Sequence, residues 1–348
     1  MLDPFQDLGK LATDIHGGPL YLNDGYRRYG REPGSPPVPA STMAAVRLLL
    51  IVNVNAQTVT PRKTSVIERA LSSEFKVDAV RTERRGHAID VARGAVREGF
   101  DLVVAMGGDG TVNEIANGLA GSQIPMGIIP GGGTNVLARS LGIPTDPVEA
   151  TGLLLAHRER LPRRVPLGRA GDRYFTFSCG VGLDGAIVRR VEERQLLKKA
   201  AGQGFYVWTA FSTLFLRYDR RRPHIELRWG PDLAEHRTGL FLAICQKTSP
   251  YTYLGKRPMR VCPDADLDLG LDLMAVSSMR TLFTLRTVAR TLGAARHTRS
   301  RHVLSLHDQP KIEILCDQPM PVQADGEYVG DRERLTLEAV PDCLSLLY

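Results

Sequence analysis

The sequence predicts an α/β domain, a parallel sheet with helices on both faces, followed by a second, β-rich domain. Three observations carry that prediction. The chain has 348 residues, about two domains' worth at ~150 residues each. From Val46 to Leu141, strand-length apolar runs alternate with helix-length segments, the rhythm of parallel βαβ units. After Leu161 the rhythm changes to short strand-like runs with helical insertions. Composition bounds the rest: 43% hydrophobic and 24% charged residues exclude wholesale disorder. No apolar run approaches the ~18 residues needed to span a bilayer. The start MLDPFQDLGK has neither a basic n-region nor an apolar h-region. The expectation is a soluble, cytoplasmic chain.

In order, residues 1–45 hold six glycines and six prolines and read as an extended or disordered leader. Residues 46–160 follow as the α/β domain. Its strands are Arg47–Val54, Val77–Thr82, Asp101–Met106 and Pro125–Ile129. Its helices are Pro61–Phe75, with proline in the first turn, Gly86–Glu98, Thr111–Ala120 and Thr134–Leu141. Residues 161–335 form the β-rich domain. Strand-like runs there are Tyr174–Gly180, Ile225–Trp229, Thr238–Gln246, Leu271–Ala275, Val303–His307, Lys311–Cys316 and Leu335–Ala339. Helical stretches lie near Ala186–Ala200, Gly204–Leu216 and Met279–Leu292. Five widely spaced cysteines, with no C-x-x-C and no H-E-x-x-H, argue against a zinc site or a disulfide framework. The excess of 45 basic over 38 acidic residues, +7, favours a phosphorylated ligand, an anionic membrane or nucleic acid. No nucleic-acid recognition motif accompanies the charge, so nucleic acid is not predicted.

Two glycine-rich segments carry the chemistry. Gly107-Gly108-Asp109-Gly110-Thr111-Val112-Asn113-Glu114 follows the third strand and opens a helix. Open α/β sheets bind ligands at the carboxyl ends of their strands. Glycines admit an anion close to the backbone, and the free N–H groups of a helix start supply donors. Asp109 beside a phosphate makes sense if a Mg²⁺ intervenes, or if it accepts from a ligand hydroxyl or amine; otherwise it caps the helix. Pro130-Gly131-Gly132-Gly133-Thr134-Asn135 follows the next strand and faces the same crevice. Together they predict a nucleotide. There is no P-loop, and at both segments the G-x-G-x-x-G fingerprint fails, because Gly108-x-Gly110 continues to Asn113 and Gly131-x-Gly133 to Val136. Protein-kinase signatures and the hydrolase elbow are missing too, which leaves phosphoryl transfer by another architecture.

GGDGTVNE at Gly107–Glu114, PGGGTNVLA at Pro130–Ala138 and Leu141-Gly142-Ile143-Pro144 resemble the diacylglycerol kinase catalytic-domain family, from about Val46 to Tyr348. That family includes bacterial lipid kinases and the sphingosine and ceramide kinases, and is related more distantly to NAD kinases. The resemblance implies a nucleotide-binding α/β domain and a β-sandwich-like domain with the active cleft between them, the last segment, 336–348, returning to the first domain. It implies ATP contacts at Asn53, Thr82, Gly107, Gly108, Asp109, Gly110, Thr111, Val112, Asn113 and Thr134. The usual Asn-Pro after the first strand is here Asn53-Val54. The family's catalytic carboxylates correspond to Asp325-Gly326-Glu327. A hydroxyl attacking a γ-phosphoryl group must lose its proton, and a positioned carboxylate takes it. On one strand Asp325 and Glu327 would face the same way; Glu327 is the favoured base, with Asp325 and Asp109 completing the catalytic set.

Gly180-Val181-Gly182-Leu183-Asp184 matches the family's Gly-x-Gly-x-Asp, with Asp184 at a helix start. Bacterial members carry an acidic ion-binding loop. Here it reads Pro263–Asp272, with Leu269 in place of the usual aspartate, so Asp266 or Asp268 would have to serve as the Mg²⁺ ligand. The aromatic stretch Gly204–Leu216 runs into Arg217-Tyr218-Asp219-Arg220-Arg221-Arg222, a pattern suited to an anionic membrane surface as well as to core packing. Arg296–Arg301 and Lys198-Lys199 extend that basic character. The reading is an ATP- and Mg²⁺-dependent, peripherally membrane-associated kinase, most simply of diacylglycerol; a homodimer is compatible with it. An NAD kinase-like enzyme and a non-catalytic nucleotide- or lipid-binding regulator are the alternatives.

Overall fold

The computed structural model describes residues 46–193, 208–255 and 257–348. The leader 1–45, Lys198-Lys199 and residues 204–207 of the expected aromatic helix lie outside them. Strands β1 (Arg47–Val52), β2 (Lys76–Arg81), β3 (Leu102–Gly107) and β4 (Pro125–Pro130) run parallel in the order β4-β3-β1-β2. Helices α1 (Pro61–Leu71), α2 (His87–Glu98) and α3 (Asp109–Leu119) connect them. The unbroken apolar run of β1 reflects burial on both faces. Leu48, Leu50 and Val52 pack with Ile67 and Leu71 of α1. Leu49 and Ile51 pack with Ala88 and Ala92 of α2 and Ile115 and Leu119 of α3. The chain leaves β1 in one direction for β2 and returns past it to β3. The crevice where a ligand binds such a sheet therefore opens between β1 and β3, at their carboxyl ends.

The expected helix at Thr134–Leu141 shortens to α4 (Val136–Ser140). Helix α5 (Pro147–Ala156) was not expected. It is capped by Asp146, which accepts from the Val148 amide at 2.8 Å, and packs Ala150 and Leu154 on the sheet.

In the second half, β5 (Arg163–Ala170) was also missed. The expected strand Tyr174–Gly180 divides into β6 (Arg173–Phe175) and β7 (Ser178–Gly182). Then follow α6 (Leu183–Glu193), α7, described over residues 208–216, β8 (Ile225–Trp229), β9 (Glu235–Leu240) and β10 (Leu242–Gln246). The last two were expected as one strand. They separate at Phe241 because β9 pairs with β8, whereas β10 pairs with β7 and β13. Next come the hairpin β11 (Thr252–Leu254) and β12 (Arg257–Met259), β13 (Leu271–Val276), α8 (Thr281–Thr291) and β14 (Val303–Gln309). The chain ends in a long antiparallel pair, β15 (Lys311–Ala324) and β16 (Glu327–Leu346). Near its end β16 pairs with β5, and at Ser345 and Leu346 runs parallel to Pro125 and Met126 of β4. A boundary at 335/336 would fall inside this one strand.

Candidate active site

The two glycine-rich segments leave neighbouring strand ends and touch. The Gly131 amide donates to the Gly107 carbonyl at 2.6 Å. A Cβ on Gly132 would lie 2.8 Å from the Gly108 Cα, so neither position admits a side chain without the backbones parting. Asn53, at the end of β1, donates its side-chain amide to Thr111 Oγ1 at 2.9 Å. Thr82 follows β2, held by a 2.9 Å bond from its amide to the Val52 carbonyl. Gln57 reaches the second segment, its Oε1 2.6 Å from where a Gly133 Cβ would stand; Thr134 is half-buried on that segment. Asn53, Thr82, Gly107, Gly108 and Thr134 thus line the carboxyl edge of the parallel sheet.

Two of the expected nucleotide contacts, Val112 and Asn113, have buried side chains. Helix α3 begins at Asp109, two residues earlier than expected, so Val112 and Asn113 lie inside it. Val112 is buried in the core beside Ile115. Asn113 is fully buried and donates to Asp325 and to the Tyr174 carbonyl. Neither side chain is open to a nucleotide. Asp109 is half-buried, and its Oδ1 accepts from the Val136 amide at 2.7 Å, so the first segment caps the short helix of the second. Burial raises the Asp109 carboxyl to about 7, against the lowering effect of the Val136, Asn135 and Leu137 amides.

Asp325 and Glu327 do not lie on one strand. Asp325 and Gly326, at φ +49° and +78°, form the two-residue turn that joins β15 to β16. The turn nevertheless presents both to α3. Asp325 is buried and accepts five hydrogen bonds. Three reach Oδ2, from Asn113 Nδ2 (2.7 Å), the Thr176 amide (2.6 Å) and Thr176 Oγ1 (2.8 Å). Two reach Oδ1, from the amides of Phe177 (3.0 Å) and Ser178 (2.9 Å). The break between β6 and β7 exists to aim these amides at one carboxylate. Glu327 reaches the start of α3, its Oε1 2.6 Å from where a Gly110 Cβ would stand. Only glycine at 110 permits that approach. Burial raises the Glu327 carboxyl above the ordinary range, and Arg85 and Arg173 oppose the rise.

Sequence reasoning missed those arginines. Arg85 and Arg173 lie 3.3 and 3.1 Å from Glu327 Oε2, and Arg85 also pairs with Glu192 at 3.0 Å. Arg85 is placed by Glu114 of α3, which accepts from the Gly86 and Ala88 amides at 2.7 and 3.1 Å. A basic pair, Arg84-Arg85, just beyond a strand's carboxyl end is a signal that could have been read. Arg173 offers none, because its partner lies 154 positions away. Asp184 begins α6, as read, and accepts from Tyr251 and Gln323 at 2.6 and 2.7 Å.

The acidic loop does not fit a metal ion. Asp266 Oδ1 accepts from the Asp268 amide at 2.9 Å, and Asp268 pairs with Arg163. Lys247, fully buried, directs its ammonium to the carbonyls of Leu267 (2.9 Å), Leu269 and Gly270 (3.3 Å). A divalent cation there would meet a fixed positive charge. Among the described residues, no group of three or more His, Cys, Asp or Glu side chains is arranged to hold a metal.

The site therefore defines a phosphotransferase built on an α/β nucleotide domain and completed by a β-domain hairpin. Comparison with known proteins agrees. Residues 47–169 match the diacylglycerol kinase catalytic domain, and residues 178–348 the YegS C-terminal NAD kinase beta sandwich-like domain. Residues 47–169 thus carry a diacylglycerol kinase catalytic domain, which marks the chain as a kinase of that type. It is 26% identical over 269 residues to a diacylglycerol kinase of Bacillus subtilis (76% of this chain, 84% of the relative). It is 26% identical over 260 residues to one of Staphylococcus saprophyticus (74% and 80%). A crystal structure of a diacylglycerol kinase from Bacillus anthracis shares the fold, with TM-score 0.68 at 22% identity over 88% of this chain and 98% of that one. No helix among the described residues is long and apolar enough to cross a membrane.

Proposed function

We propose that the protein transfers the γ-phosphoryl group of ATP, bound as its Mg²⁺ chelate, to the hydroxyl of diacylglycerol at the cytoplasmic membrane surface, giving phosphatidic acid. The observation that carries this reading is the approach of Glu327 to Gly110. A carboxylate raised by burial, from the second domain, stands at the start of α3, where helix amides and the paired glycine segments suit a triphosphate. In the reaction Glu327 accepts the hydroxyl proton as the lipid oxygen bonds to phosphorus and the bond to ADP breaks. The α3 amides, with Arg85 and Arg173 released from Glu327, meet the charge spreading over the phosphoryl oxygens. Asp325 holds Asn113 and the 176–178 backbone in place and is not a base: its oxygens are already filled by five donors. Asp109 joins the two glycine segments into one cradle.

Glu327→Gln tests the reading. Turnover of diacylglycerol should fall by about 10²–10⁴-fold, with ATP affinity, measured calorimetrically, within a few-fold of the parent. Undiminished turnover removes Glu327 from the mechanism. Phosphorylation of NAD in the absence of lipid would favour the soluble-substrate alternative.

A further inference from the structure

Two helices of the second domain turn several large apolar side chains outward and threonines inward. In α8 the buried residues are Thr284, Thr287 and Thr291, whereas Leu282, Leu285 and Val288 face solvent, Leu282 being 80% exposed. In α7, Thr209 and Thr213 are buried while Trp208, Phe211 and Leu216 are exposed, at 62%, 51% and 75%. In α8 two of the inward threonines are satisfied by the helix itself, Thr284 and Thr291 donating to the carbonyls of Arg280 and Val288, whereas the buried Thr213 hydroxyl of α7 has no partner among the described residues. The helices adjoin, since Leu214, Phe215, Met279 and Phe283 share one core and Arg220 donates to Thr281 at 3.1 Å. Charge is segregated around them. Between Asp272 and Asp308 the chain has six arginines and no Asp or Glu, and Arg217, Arg220, Arg221 and Arg222 follow α7. Apolar residues turned outward and rimmed by cations match a bilayer with anionic headgroups, where the side chains enter the acyl boundary and the arginines stay at the phosphates.

We propose that the outward faces of α7 and α8 together are the surface by which this chain lies on an anionic bilayer. The proposal rests on the lipid-kinase reading and is tested apart from it. Leu282→Glu with Leu285→Glu alters only exposed side chains. With vesicles containing phosphatidylglycerol, the double variant should partition about tenfold more weakly than the parent. Its activity on a short-chain diacylglycerol in solution should be unchanged. Undiminished vesicle binding overturns the proposal, and so does a dimer in sedimentation velocity that the substitutions dissociate, because the face would then pair two copies. Loss of vesicle binding in a chain that phosphorylates no lipid would refute the kinase reading and leave the surface standing.

A separate observation carries a second inference. The Lys247 ammonium lies fully buried among three carbonyls of the acidic loop, with Asp266, Asp268 and Asp308 around it. The Lys247 backbone also donates to the Phe177 carbonyl at 2.9 Å, within the segment that holds Asp325. We infer that Lys247 replaces, from within the chain, the divalent cation that such a loop would otherwise need. The unfolding temperature of the nucleotide-free parent should then be the same in EDTA and in excess Mg²⁺. Lys247→Met should unfold several degrees lower and expose the amides of residues 263–272 to faster hydrogen exchange. An EDTA-induced fall in the parent, reversed by Mg²⁺, would overturn the inference without requiring the variant to fold.

Discussion

At the scale of single residues, the two carboxylates of the Asp325–Glu327 turn divide structural and chemical work. Asp325 has five donors converging on two oxygens, and Asn in its place would set an NH₂ group against donors already there. Each buried group left unpaired costs about 1–3 kcal/mol, so Asp325→Asn should lower the unfolding temperature by several degrees as well as abolish activity. Glu327→Gln should leave that temperature within about a degree, its oxygens being half-buried and met by flexible arginines. Differential scanning fluorimetry of the two variants separates the roles; equal stability would mean that Asp325 holds nothing. The sequence marked these residues because Asp-Gly between strand-like runs is a local signal. It could not say that Asp325 points inward, since that depends on amides at 176–178, nearly 150 positions earlier.

At the scale of elements, the paired glycine segments work as one unit. A methyl group at Gly132 meets the Gly108 backbone at 2.8 Å, and backbone cannot rotate aside as a flexible side chain does. Gly132→Ala should therefore weaken ATP binding by about tenfold or more, in line with the 1–3 kcal/mol cost of overpacking. It should leave vesicle binding unchanged. Titration calorimetry with ATP checks the first outcome, and parent-like affinity would show that the two segments part freely. These segments were legible because strand, glycines and helix follow one another in sequence. So were β1 to β4, whose burial on both faces writes itself as continuous apolar runs. Elements defined by partners elsewhere were not. The split of β9 from β10 records a change of neighbours at Phe241, which leaves no mark on periodicity alone, and periodicity alone does not say which face of α8 turns to solvent.

For the domain pair as a whole, one strand ties the parts together. β16 starts at the catalytic hairpin and ends beside β4, so the position of Glu327 over α3 is fixed by the same strand that closes the parallel sheet. That closeness brings carboxyls into low-dielectric surroundings. Asp109, Asp184, Asp325 and Glu327 are all raised, in each case by burial first. A carboxyl raised on folding keeps a proton that the unfolded chain has released. Stability therefore declines as pH rises from the unfolded value, about 4, through the folded one, which for Asp109 is about 7. His307, raised chiefly by its hydrogen bond to Asp272, contributes in the same sense, since its stabilisation is lost as pH climbs above its folded value. His297, lowered by burial, works against them. The carboxyls outnumber it. The ligand-free protein should accordingly unfold at a higher temperature at pH 5.5 than at pH 7.5, and Asp109→Asn should flatten that slope. Its amide oxygen can still accept from Val136, so the variant should be at least as stable as the parent at pH 7.5. A parent whose unfolding temperature climbs from pH 5.5 to 7.5 would mean that these carboxyls are solvated, and that the two domains do not close on one another at the site.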